Sequence, residues 1–132
     1  MNESIWAVRG LVAGVVEELE LHAWRDGDEC NVRLEKWTTV SVGRGQDYFA
    51  ALVDLRRQLE STGLLLLCCG ARTDVYPSQM QRQATLGRKA YVLQFPRSAG
   101  RPMVVDIFDA ATPDQVGSVG EQREWFERWT AS

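Results

Sequence analysis

The chain has 132 residues, 45% hydrophobic and 25% charged, with a formal charge of −3. That is about one domain, long enough to bury a single core without disulfides or metal, and its composition is ordinary for a soluble globular protein. The acidic balance argues against general nucleic-acid binding, which calls for a basic surface.

Met1-Asn2-Glu3-Ser4 lacks the basic start and long apolar region of a signal peptide. The apolar runs fall far short of the ~20 residues that span a bilayer. Cys68 and Cys69 are adjacent, so on a strand they point to opposite faces and do not form an ordinary disulfide. Both read as small apolar side chains in a reducing compartment. The expectation is a cytoplasmic protein with no membrane partner. Five tryptophans is a high number for this length, and each needs a core niche or a partner surface.

Val12, Val15 and Val16, with Gly10 and Gly14, favour extended structure from Ile5 to Val16. Leu19, Leu21 and Ala23 then alternate with Glu20, His22 and Trp24, the period of a half-buried strand. Asp26-Gly27 marks a turn, and Val32 and Leu34 alternate with Arg33 and Glu35 toward Trp37, Thr38 and Thr39, which predicts an antiparallel hairpin or meander. After Gly43-Arg44-Gly45, residues Tyr48, Ala51, Leu52, Leu55 and Leu59 form one apolar helical stripe, with Asp54, Arg56, Arg57 and Glu60 expected to face outward. Asp47 is the expected cap and Gly63 the expected stop. Leu64–Cys69 reads as a central strand buried on both faces, ending at Gly70 and followed by Arg72, Asp74, Tyr76 and Pro77. Pro77–Gln83 predicts a short helix or a lid-like loop. Ala90–Phe95 and Met103–Phe108 predict two strands joined by a turn through Ser98-Ala99-Gly100-Arg101-Pro102. Thr112-Pro113-Asp114 marks a loop, and Ser118-Val119-Gly120-Glu121 is a capping box that opens a final helix with Gln122, Trp125, Phe126 and Trp129 close to one face.

Charge is unevenly spread. Residues 1–35 hold eight acids (Glu3, Glu17, Glu18, Glu20, Asp26, Asp28, Glu29, Glu35) against three arginines. Residues 72–101 hold six bases (Arg72, Arg82, Arg88, Lys89, Arg97, Arg101) against Asp74 alone. Such asymmetry selects oppositely charged partners, and it also suits solvated loops and strand edges. Arg72, Asp74 and Tyr76 collect where a strand ends, with Arg72 and Asp74 placed to pair with each other. A cysteine–histidine nucleophile needs Cys68 or Cys69 beside His22, the sole histidine, which lies in a distant strand. Burial in an apolar strand also raises a thiol pKa. The cysteine and histidine spacing fits no metal site, and Gly43-Arg44-Gly45 lacks the Lys-Ser/Thr of a phosphate loop. Asp106, between Val105 and Ile107, predicts either a sheet edge or an arginine partner.

Cys69-Gly70-Ala71-Arg72, Asp74-Val75-Tyr76-Pro77-Ser78 and Gly87-Arg88-Lys89-Ala90-Tyr91 form one group of segments in the C-terminal half. Val105-Asp106-Ile107-Phe108 and Val116-Gly117-Ser118-Val119-Gly120-Glu121-Gln122 form another. These segments resemble small single-domain bacterial immunity proteins of polymorphic toxin systems. The resemblance implies a stoichiometric, non-enzymatic inhibitor that binds a cognate toxin domain in the cytoplasm. It transfers no functional residue to this chain.

The expected fold is a single α+β domain, with a mainly antiparallel sheet of about five or six strands and two main helices packed on one face. The opposite face is left to Trp6, Trp24 and Trp37 as cover or contact surface. The leading functional expectation is a toxin-neutralising binding protein with no cofactor and no catalytic residues. Its acidic face of Glu17, Glu18, Glu20, Asp26, Asp28 and Glu29 would meet a basic toxin. The rival is a small-molecule or nucleotide-handling enzyme holding an anion with Arg72, Asp74, Tyr76, Arg82 and Lys89. A third reading is self-association as a weak homodimer through the tryptophans.

Overall fold

In the computed structural model, which describes residues 3–36, 38–97 and 100–132, the alternating N-terminal third is an antiparallel meander. It comprises β1 (Glu3–Val12), β2 (Val15–Asp26), β3 (Glu29–Lys36) and β4 (Thr39–Gly45). Val12 lies opposite Val15 across Ala13 and Gly14, whose φ values of 51° and 78° give the two-residue turn that matches strand twist. Asp26 lies opposite Glu29 across Gly27 (φ 60°) and Asp28.

Register follows the side-chain pattern. Trp6 pairs with Leu21, Leu21 with Leu34, and Ala23 with Val32, so one face collects the apolar set. Val8, Leu21, Ala23, Val32 and Leu34 are buried there. The opposite positions put Arg9, Glu18, Glu20, His22 and Glu35 on the outer face.

Helix α1 (Tyr48–Glu60) covers the inner face, as the stripe predicts, burying Phe49, Ala51, Leu52, Leu55 and Leu59. Asp47 caps it by accepting from the Ala50 amide at 2.7 Å. The expected stop, Gly63 (φ 83°), lies just beyond the Ser61 cap. Gly43 explains the closeness of helix to strand. A Cβ there would lie 2.1 Å from the Ala51 carbonyl oxygen, so only glycine lets α1 settle on β4.

Arg56 overturns one expectation. It faces inward at 2% exposure, because it lies one turn on from Leu52 at the stripe's edge, where later segments close over it. Its guanidinium donates to the carbonyls of Gly70 (3.1 Å) and Gly117 (3.0 Å) and to Gln122 Oε1 (2.6 Å). Gln122 in turn donates to the carbonyls of Gly70, Arg72 and Val75 at 2.8–2.9 Å. Two buried polar side chains thus satisfy the backbone that links the two halves of the molecule.

β5 (Leu64–Leu67) is shorter than expected and is an edge strand, not a central one. The sheet order is β4-β3-β2-β1-β5. Leu64 and Leu66 are buried in the core with α1, and chain laid over the free edge covers the end of the strand: the Ala111 amide donates to the Leu67 carbonyl at 3.1 Å, and Cys68 bridges Ala110. A 3-10 turn at Cys69–Ala71 follows.

The remaining strands, β6 (Val75–Tyr76), β7 (Lys89–Val92) and β8 (Met103–Asp106), form a second, three-stranded antiparallel sheet. The polar segment after Pro77 is α2 (Gln79–Ala84), opened by a capping box between Ser78 and Gln81. The final helix α3 (Val119–Ala131) has the predicted Ser118–Glu121 box. β7 and β8 pair as expected, but their connection runs over 93–102; Ser98 and Ala99 of the predicted turn, like Trp37, lie outside the described residues. The fold is α+β and mostly strand, with no helix among the described residues long and apolar enough to cross a membrane.

Candidate functional site

The six acids nominated as one face divide into two groups. Glu18 and Glu20 project from the outer face, where Glu18 pairs with Arg9 at 3.1 Å and Glu20 approaches His22 at 3.7 Å. Glu17 turns the other way, opposite Gly10, and pairs with Lys36 at 2.8 Å. Asp26, Asp28 and Glu29 sit at the β2–β3 turn, about 20 Å from Glu20 along the strand at ~3.3 Å per residue. There Asp28 lies 3.7 Å from Arg25 and Glu29 lies 3.8 Å from Arg44. These exposed pairs are each worth only ~0–1 kcal/mol and leave the carboxylates accessible.

A shallow depression of ≈ 540 Å³ opens on the outer face, lined by Glu18, Glu20, Glu35 and His22 with Ala7 and Leu19. Among the described residues no lysine or arginine lines it. His22 Nδ1 and the Arg33 guanidinium both lie 2.9 Å from Glu3 Oε1, which accepts from them. Arg33 also lies over the Trp24 ring, 5.3 Å from its centroid, so Trp24 is a platform inside this charged layer. The outer face therefore carries ladders of opposite charge with a surplus of glutamate.

The second nominated constellation also comes apart. Arg72 and Asp74 form a bidentate pair, both contacts at 2.9 Å, as their spacing suggests. That contact holds the Arg72 guanidinium above its usual pKa range. Arg82 pairs with Asp47 at 2.7 Å, and Lys89 lies 3.7 Å from Asp106. Asp106 meets both of its expectations: it lies on edge strand β8 and pairs with Arg88 at 3.0 Å. Each nominated cation thus has a carboxylate neighbour, and only Tyr76 and Arg82 reach a common cavity.

That cavity, ≈ 530 Å³, lies between β6–β7, the start of α2, residues 93–97 and 100–102, and α3. Tyr76 stacks on Phe126 at 3.8 Å and 11°, and Phe126 faces Trp129 at 6.1 Å and 20°. Trp129 Nε1 donates to the Gln94 carbonyl at 3.0 Å, tying α3 to the connection. Arg97 lies 4.6 Å over the Trp129 ring and donates to the Thr130 carbonyl at 3.2 Å. Tyr91, Leu93 and Pro102 complete the apolar wall. Arg97, Tyr91 and Gln94 escaped the sequence reading as site residues. The aromatic stripe of α3 was visible, but nothing local foretells that it folds back over β6 and β7.

His22 and the cysteines do not meet. His22 lies on the outer face with Glu3 and Glu20, whereas Cys68 is buried beyond β5. Desolvation pushes the Cys68 thiol up to about 11 and raises Cys30 and Cys69 as well. Among the described residues no cluster of three or more histidine, cysteine or carboxylate side chains is arranged to hold a metal. Neither models of known protein families nor curated proteins match the chain.

Proposed function

We propose that the protein is a non-enzymatic binding protein of the cytoplasm that neutralises a protein toxin by forming a stoichiometric complex with it. One observation carries the reading: the helix-free outer face of the five-stranded sheet, with its glutamate-lined depression. A basic partner surface gains from meeting carboxylates already held in place by cross-strand pairs, because little further ordering is needed. The segments resembling toxin immunity proteins lead to the same class of partner. Glu18, Glu20 and Glu35 are the contact residues on this reading, with Asp26, Asp28 and Glu29 as a separate acidic edge.

The anion-holding enzyme reading is less favoured in its original form, because the carboxylate neighbours of Arg72, Arg82 and Lys89 already compete for an anion. Co-expression with the product of the neighbouring gene, as the candidate toxin, tests the proposal. Cells carrying the native protein are expected to survive, and Glu18→Lys with Glu20→Lys is expected to weaken the complex by about tenfold or more. Survival unaffected by the double substitution would remove the outer face from the interface. No protection by the native protein would remove the toxin reading.

A further inference from the structure

The cavity facing Tyr76 has a chemistry that the toxin-binding reading does not use. Its lining includes two arginines and no aspartate or glutamate. The two cations are not equivalent. Arg82 is anchored by Asp47 at 2.7 Å and lies 5.6 Å from the Tyr76 ring centroid, so it serves mainly as wall. Arg97 has no carboxylate partner among the described residues; its fixed contacts are the Trp129 ring and one carbonyl. A guanidinium offers five donors in a planar fork, so most of its capacity remains for a ligand.

Beside this cation runs an aromatic wall. Tyr76, Phe126 and Trp129 form a continuous set of rings, and Tyr91 adds a hydroxyl that takes no partner among the described residues. The volume falls within the ~300–1,000 Å³ of small-molecule sites. Rings reward burial of a flat apolar body. A lone guanidinium rewards an oxyanion through charge-assisted bonds, and the missing carboxylates give a cationic ligand nothing to pair with. We propose that this cavity binds a small organic anion with an aromatic body, its rings against Tyr76, Phe126 and Trp129 and its oxyanion on Arg97. The site stands independently of the outer face and of any toxin.

Two fluorescent probes with the same ring body separate the contributions: 8-anilinonaphthalene-1-sulfonate carries the anion, and N-phenyl-1-naphthylamine lacks it. The native protein is expected to bind the sulfonate at one saturable site, about tenfold or more tighter than the amine. Arg97→Gln, an exposed substitution checked for an unchanged thermal midpoint, is expected to abolish that preference. Trp129→Ala is expected to weaken both probes by similar factors. Absence of saturable binding, equal affinity for the two probes, or a sulfonate preference that survives Arg97→Gln would overturn the proposal.

Discussion

Arg56 shows how much a single side chain decides here. Its charge is buried, and desolvation lowers its pKa, yet three acceptors hold it and Glu60 lies 4.0 Å away. Replacement by methionine fills the space but orphans the Gly117 carbonyl and Gln122 Oε1, and leaves the Gly70 carbonyl to Gln122 alone. We expect a loss of about 3 kcal/mol or more, read by urea denaturation. Combining it with Gln122→Leu should cost less than the sum of the two single changes, since both act on one network. Cys68 supplies a pH test. Its thiol is raised from 9.0 to about 11 in the folded state, so its contribution is full below pH ~9 and is lost as pH climbs toward ~11. Between pH 8 and pH 10.5 the native protein should lose about 2 kcal/mol more stability than Cys68→Ala. An identical pH dependence in the two proteins would contradict the burial assigned to this thiol.

At the scale of elements, Asp47 joins two helices. It caps α1 through the Ala50 amide and pairs with Arg82 of α2. Asp47→Ala should lower stability by about 1–3 kcal/mol, and Asp47→Asn by less, since asparagine keeps the cap and loses only the ion pair. Urea denaturation of both variants checks this, and equal losses would show that the cap contributes little. α1 was legible in the sequence because its stripe, cap and stop agree with one another. The alternation of β2 and β3 was legible for the same reason. The place of β5 was not, because an apolar run reports that both faces are covered and not what covers them. At the end of this run, from Leu67 to Cys69, the cover at the free edge is the 109–111 segment, some forty residues later in sequence. Arg56 was misread because a charged residue at a stripe's edge looks the same whether a later helix closes over it or water does. The Ser78–Gln81 box lay unseen in a polar segment with no apolar stripe to announce a helix.

The whole molecule presents a helix-free sheet face rich in carboxylates and, across the fold, a small sheet and α3 enclosing an arginine-lined aromatic cavity. Neither feature could be assembled from the sequence: charge counts gave an acidic third and a basic stretch, but strand alternation sent Glu17 to one side of the sheet and Glu18 to the other. Of the nominated anion-site residues, only Tyr76 and Arg82 reach the cavity, because the other side chains point toward local partners. With acidic side chains on an open face, capture of a basic protein should be fast and salt-sensitive, slowing steeply as ionic strength rises and the Debye length falls below ~10 Å. Titration calorimetry of the purified protein against the purified product of the neighbouring gene, the toxin candidate under the proposal, is the most direct measurement. An equimolar complex is predicted, weakening as salt is raised and again on Glu18→Lys with Glu20→Lys. No heat of binding, or an affinity indifferent to both salt and the double substitution, would contradict it.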